Sequence, residues 1–198
     1  MATEPDELPR ARRRGAALTR AIFEATLAEL AESSVDQLTF DKIAIRARTG
    51  KAALYRRWRS PAELVLAALA DPEVGFTETT PPATGSLRGD LLALLTKFAR
   101  ALDEPHGRAL RPLMTQRDRH PQLYAQVWEL VVQPRQRLLT DLLRAAAERG
   151  EVRADAVTAR VAGVGPRLVI ATHMDIGTVP ATEVEAIVDE VLLPLLRP

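Results

Sequence analysis

A chain of 198 residues that is 46% apolar is long enough to bury a sizeable core, as one domain or as a small one plus a larger one. The absence of cysteine excludes disulfides, thiol nucleophiles and cysteine-ligated zinc. Twenty-seven basic against 26 acidic side chains give a net charge of only +1, but the charge is unevenly placed. Residues 1–9 carry −3, residues 10–60 carry +7 and residues 61–198 carry −3, so one basic block stands out as a local polyanion-binding face.

The first 15 residues, MATEPDELPRARRRG, have no apolar segment of the secretory type. No later apolar run approaches the roughly 20 residues of a membrane span, so a soluble cytoplasmic protein with no membrane partner is expected. Arg12, Arg13 and Arg14 form a basic arm, either solvated or laid along nucleic-acid phosphates. A first helix is predicted over 16–32, with Ile22, Phe23, Leu27 and Leu30 on its inner face.

The stretch Leu38–Trp58, LTFDKIAIRARTGKAALYRRW, is the most informative. Phe40, Ile43, Ala44 and Ala47 fall at i, i+3, i+4 and i+7, one buried stripe of a helix, with Thr39 placed to cap it. Arg48-Thr49-Gly50 is the length of a tight turn, and Gly50 is expected to supply the unusual backbone angles. A second helix begins at Lys51. Leu54 and Trp58 face inward, Ala52, Ala53 and Arg56 outward, and Tyr55 lies at the flank. Two alanines, a tyrosine and cations with no carboxylate between Lys51 and Arg59 favour DNA binding over a plain helical hairpin.

Ser60-Pro61-Ala62-Glu63 reads as a capping box opening a fourth helix that ends at Asp71-Pro72. Residues 71–86, rich in Pro, Gly and Thr, read as a linker. A fifth helix follows over 87–104, with Leu91, Leu94, Leu95, Phe98 and Leu102 on one face. A short helix is predicted around 108–117, its start delayed by Pro112. Next comes a long one over 122–148, kinked at Pro134 and closed by Gly150. Asp155 is expected to cap the penultimate helix, and Thr182-Glu183-Val184-Glu185 to open the last by a second capping box.

Residues 19–70 resemble the N-terminal DNA-binding domain of TetR-family transcriptional regulators. The resemblance rests on Thr39, Ile43-Ala44, Leu54-Tyr55, Trp58 and Glu63-Leu64 at fixed spacings. The chain departs from that pattern at Arg48, where glycine is usual, and at Pro61, where a phosphate-contacting lysine is usual. The run from Gly107 to Val152, with His120-Pro121 and Pro134-Arg135, is similar to C-terminal domains of the same family.

The resemblance implies an all-α fold. An N-terminal three-helix helix-turn-helix domain (16–70, preceded by the arm 1–15) is followed by the linker 71–86 and by a helical ligand-binding and dimerisation domain (87–198). It also implies a homodimer paired through its last two helices, for which Val169, Val184, Ile187, Val188, Val191, Leu192 and Leu195 are the candidates. The expected partners are double-stranded DNA bearing a palindromic operator, a second copy of the chain and a small apolar or amphipathic effector. The expected DNA surface is Arg12, Arg13, Arg14, Thr39, Thr49, Gly50, Lys51, Ala52, Ala53, Tyr55, Arg56 and Arg57. An effector pocket beneath the fourth helix is expected to draw on Phe98, Met114, Trp128, His173 and Met174, with core packing as the alternative role of each.

Gly50-Lys51 lacks both the first glycine and the Ser/Thr of a phosphate-binding loop, since Ile45 and Ala52 stand there. Gly163-Val164-Gly165 lacks a third glycine and a preceding strand. His106, His120 and His173 are dispersed, so no cofactor, metal or enzyme activity is expected. The alternative function is a helical homodimeric protein-interaction module without sequence-specific DNA binding.

Overall fold

The computed structural model describes residues 15–76 and 80–197. These form helices and turns with no strand among them, in the order α1 (Ala16–Glu32), α2 (Phe40–Arg46), α3 (Lys51–Tyr55), α4 (Pro61–Leu69), α5 (Leu87–Asp103), α6 (Pro105–Thr115), α7 (Pro121–Val127), α8 (Gln133–Glu148), α9 (Ala159–Ala162), α10 (Val164–Ile176), α11 (Ala181–Ala186) and α12 (Leu193–Leu196). The fold is all-α, as the sequence predicts.

Local chemistry accounts for most of the boundaries. The Thr39 hydroxyl accepts from Lys42 N–H at 3.3 Å, and the Ser60 hydroxyl accepts from Glu63 N–H at 3.1 Å with Pro61 in the first turn. The Glu63 carboxylate accepts from Arg59 N–H, one residue before the partner that a reciprocal capping box would give it. Gly150 has φ 77° and closes α8 with two bonds, Gly150 N–H to Ala147 O and Glu151 N–H to Ala146 O. A glycine is favoured in that left-handed position because it has no Cβ.

Three expected starts are corrected. Asp155 lies in a short 3-10 turn, and Thr158 caps α9 by accepting from Val161 N–H. The last helix begins at Ala181 after Pro180, so the box at Thr182 does not form. α6 begins at Pro105, whose missing N–H costs nothing in a first turn, and Pro112 lies inside the helix.

Both α7–α8 and α11–α12 run as continuous helices through a wider π turn, Trp128–Val132 and Ile187–Leu192. In each, an N–H reaches five residues back, Gln133 to Trp128 O and Leu193 to Val188 O. Each π turn is separated by a single residue from a helical proline, Pro134 or Pro194. Proline has no N–H to give and crowds the carbonyl of the turn before it, and widening that turn relieves the conflict without breaking the helix.

The side chains gather into two cores. The first joins Ile22, Phe23, Leu27, Leu30, Phe40, Ile43, Leu54, Trp58, Leu64 and Leu69 to Phe76, Ala109, Leu113, Leu123, Val127 and Val131. Residues from beyond the expected linker therefore complete the core of α1–α4, and Phe76, inside that linker, is buried. The second core is built by α5, α8 and α9–α12. Gly165 lets α10 approach closely, since a Cβ there would stand 3.0 Å from Leu192 and 3.1 Å from Leu95.

Two polar clasps hold the halves together. In the first, Val35 N–H donates to the Gln116 side chain at 3.2 Å, and Asp36 meets Arg119 at 3.2 Å and His120 at 3.0 Å. The His120 contact is one of proximity, without hydrogen-bond geometry. In the second, Arg135 donates to Val131 O at 2.6 Å, in the π turn, and to Phe76 O beyond α4. Its guanidinium lies 4.7 Å over the Phe76 ring, whose other contact is His106, edge-on at 4.5 Å. Burial lowers the Arg135 pKa to about 10, so the cation persists at neutral pH.

Burial pushes His106 below the usual histidine value; Glu104 opposes this and Arg135 adds to it. Above about pH 6.5 the imidazole is neutral whether the chain is folded or unfolded. As pH falls below that, the unfolded chain takes the proton first and stability is lost until the folded-state pKa is reached. Denaturant titrations from neutral to mildly acidic pH should show this fall, and His106→Phe should flatten part of it.

Candidate nucleic-acid interface

α3 has a single fully buried side chain, Leu54, and Trp58 just beyond it closes the same side, 5.8 Å from the Phe23 ring. These two pin the helix and turn its opposite face outward. Ala52, Tyr55 and Arg56 are exposed there, Tyr55 by 62%. The Tyr55 ring meets Phe40 edge-on at 4.8 Å, which restrains the ring on an otherwise exposed side chain. Thr39, Gly50, Lys51 and Arg57 are also exposed, whereas Thr49 is half-buried. Ala53, expected on the outer face, is half-buried against the first core. Arg12, Arg13 and Arg14 lie outside the described residues.

The turn differs from expectation. Gly50 has an ordinary φ of −79° and serves as N-cap of α3. The left-handed residue is Arg48, at φ 53°, which follows the last turn of α2. There Arg48 N–H donates to Ile45 O at 3.1 Å and Thr49 N–H to Ala44 O at 3.0 Å, the bond pair that requires a left-handed residue after the helix cap.

The basic residues divide into clasped and free. Arg46 is held by Glu29 at 3.1 Å and by Glu32, Lys42 approaches Glu29 at 3.7 Å, and Lys51 meets Asp41 at 3.2 Å. The hydrogen bond from Arg46 raises its own pKa and lowers that of Glu32. Arg57 donates to the Thr19 hydroxyl at 2.6 Å and lies 6.0 Å from the Trp58 ring. Among the described residues, Arg48, Arg56 and Arg59 form no side-chain hydrogen bond or ion pair.

The residues expected to line an effector pocket are not brought together. Met114 packs at the first core and Phe98 at the second. Trp128 packs beside Tyr124, His173 lies 3.1 Å from Asp103, and Met174 is 71% exposed. The second core holds a void of about 10 Å³ between Leu91, Leu95, Leu139, Leu143, Leu192 and Leu196, no larger than one water. A larger open groove of about 580 Å³ lies on α5, lined by Leu92, Ala93, Thr96, Lys97 and Arg100.

The expected dimer residues divide between buried and exposed. Val169, Val184, Ile187, Val188 and Leu192 are buried in their own chain's second core. Val191 is exposed and Leu195 half-buried. The exposed apolar side chains of α10 are others, Ile170, Met174 and Ile176. Sequence did carry a signal for two of them, since Ile170 and Met174 stand at i and i+4, one face round from Val169.

A short helix, a tight turn and a second helix pinned so that its polar, carboxylate-free face points outward define a helix-turn-helix DNA-binding protein. Residues 22–68 match the family model of bacterial regulatory proteins of the tetR family, and residues 81–191 that of the tetracyclin repressor-like C-terminal domain. The chain is 35% identical over 177 residues to an uncharacterised HTH-type transcriptional regulator of Mycobacterium tuberculosis, covering 88% of this chain and 86% of the relative. It is 30% identical over 145 residues to a Bacillus subtilis regulator, YdeS, covering 73% and 72%. The fold matches the crystal structure of a TetR family transcription regulator at TM-score 0.62 and 28% identity, over 91% of this chain and 99% of that one. It matches Salmonella enterica GusR at TM-score 0.68 and 19% identity, over 92% and 97%. The chain belongs to the TetR family of transcriptional regulators.

Leu54 carries the seating of α3. Leu54→Ala is expected to destabilise the protein by roughly 2–5 kcal/mol, read as a lowered denaturation midpoint, and to loosen the reading face with it.

Proposed function

We propose that the protein is a ligand-responsive repressor that binds a palindromic operator as a homodimer in the cytoplasm and catalyses no reaction. The observation that carries this is the exposed face of α3, where Tyr55 and the unpaired Arg56 project from a helix held by Leu54 and Trp58. Arg56 is suited to a base edge, guanine above all, because its planar fork matches two acceptors at once. Tyr55, held by Phe40, suits a phosphate oxygen. The repressor sense is supported by the DNA-binding transcriptional repressor TetR of Mycobacteroides abscessus, 35% identical over 92 residues.

Gel-shift titration with the DNA upstream of the protein's own gene, and selection from random duplexes, test this reading. A retarded, sequence-selective complex is expected, and Arg56→Ala should relax preference at one position of each half-site. A uniform loss across all sequences would make Arg56 a backbone contact instead.

One helix-turn-helix offers few contacts, whereas two on a two-fold axis read half-sites about one helical turn or a multiple apart. Ile170 and Met174, exposed one turn apart on the same face of α10, are the apolar candidates for that pairing, with the exposed Val191 on the last helix as a further one. Light scattering should give a dimer mass, and Ile170→Asp combined with Met174→Asp should give a monomer. A monomeric wild-type protein at micromolar concentration would contradict the assembly.

The groove on α5 offers an effector Leu92 and Ala93 for apolar contact and Arg100 for a polar end, which fits an amphipathic molecule. A structural neighbour of 18% identity, FrrA, is a flavonoid-responsive regulator. By linkage, an effector that releases DNA must bind more weakly to the DNA-bound dimer, by the same factor.

A further inference from the structure

We infer that Arg48, in the turn of the helix-turn-helix, is a phosphate contact and that this contact is what an arginine adds there over the less costly glycine. The inference rests on the DNA-binding reading above and adds to it a residue that composition and helical spacing did not single out. The position is set by α2, whose last carbonyls, Ala44 O and Ile45 O, are satisfied only if the residue after Ala47 turns left-handed. An L side chain enters that region at a cost that glycine escapes. Arg48 bears that cost at φ 53° and recovers nothing inside the protein, since its side chain is exposed and, among the described residues, has no hydrogen bond or ion pair.

The surrounding charges are arranged to leave it so. Glu29 and Glu32 hold Arg46, Glu29 also approaches Lys42, and Asp41 holds Lys51. Glu29, Glu32 and Asp41 are thus already engaged by cations on either side of Arg48 in sequence. A guanidinium left unpaired on a basic surface, three residues before the first residue of α3, is placed at the rim of the reading face. A rim cation ahead of the helix that enters the groove meets the phosphate backbone, not base edges. The end of α2 imposes the left-handed turn on any residue there; what an arginine adds over the less costly glycine is this phosphate contact, made only in the complex.

The two consequences are opposite in sign, and this separates the proposal from a merely structural role. Full-length wild type, Arg48→Gly and Arg48→Lys are compared by thermal denaturation without DNA and by binding to a short labelled mixed-sequence duplex over a range of salt. Arg48→Gly is expected to raise the midpoint of denaturation yet weaken binding several-fold at low salt. It should also flatten the plot of log affinity against log salt by about 0.9 for each protomer bound. Arg48→Lys, which keeps both the charge and the left-handed backbone, should keep the wild-type slope and melt near wild type. An Arg48→Gly protein that is stabilised but retains the wild-type salt slope overturns the contact. A folded wild-type protein that binds no duplex at any salt sinks the DNA-binding reading itself, and the contact with it.

Discussion

Helix α6 is the piece on which the N-terminal half depends. α1 carries apolar side chains on more than one side, because it must cover α2, α3 and α4 together, and the surface left over is closed by Ala109 and Leu113 of α6 with Leu123 and Val127 of α7. Three or four short helices bury too little surface to be well stabilised alone. The neighbouring helices supply the missing apolar cover, and the clasps at Asp36 and Arg135 fix its register. α1 and α4, and not α3 itself, are therefore what the C-terminal half seats through packed side chains.

Charge is used in a similar economy. Seven cations stand between Thr39 and Ser60, yet Lys42, Arg46 and Lys51 are engaged by Glu29, Glu32 and Asp41. Exposed pairs of this kind contribute little to stability, but they orient α1 and α2 and leave the outward field to a few arginines near α3. Arg135 shows the opposite solution. It is a half-buried cation satisfied by two carbonyls and an aromatic face, a set of partners suited to a weakly hydrated, planar guanidinium and not to an ammonium.

What could be read in the sequence was what depends on neighbours within a turn or two. The extent of α1, the Thr39 and Ser60 caps, the Gly150 terminus and the inward side of α3 follow from spacing and capping chemistry. Three kinds of feature were not legible. Thr158 took the capping role expected of Asp155, three residues away, because the site is set by where α9 meets the second core. Glycine was the natural candidate for the strained turn position, but the end of α2 fixes that position at Arg48, whatever residue stands there. Phe98, Met114 and Trp128 look alike as pocket candidates, and only the tertiary fold assigns Phe98 and Met114 to different cores. The stripe on the last helix likewise reads as an interface until the protein's own α5 and α10 are seen to cover it.

The shared first core bears on how such a regulator can be recombined. The linker read over residues 71–86 offers, just after Phe76, what looks in sequence like the natural junction for exchanging N-terminal halves between such proteins. A hybrid cut there would set the α1–α4 surface of one parent against the α6–α7 surface of another, with Phe76 severed from the arginine and histidine that seat it. The transferable unit is an N-terminal half together with the complementary faces of α6 and α7, so these receiving residues must be redesigned with it for the hybrid to keep a packed first core.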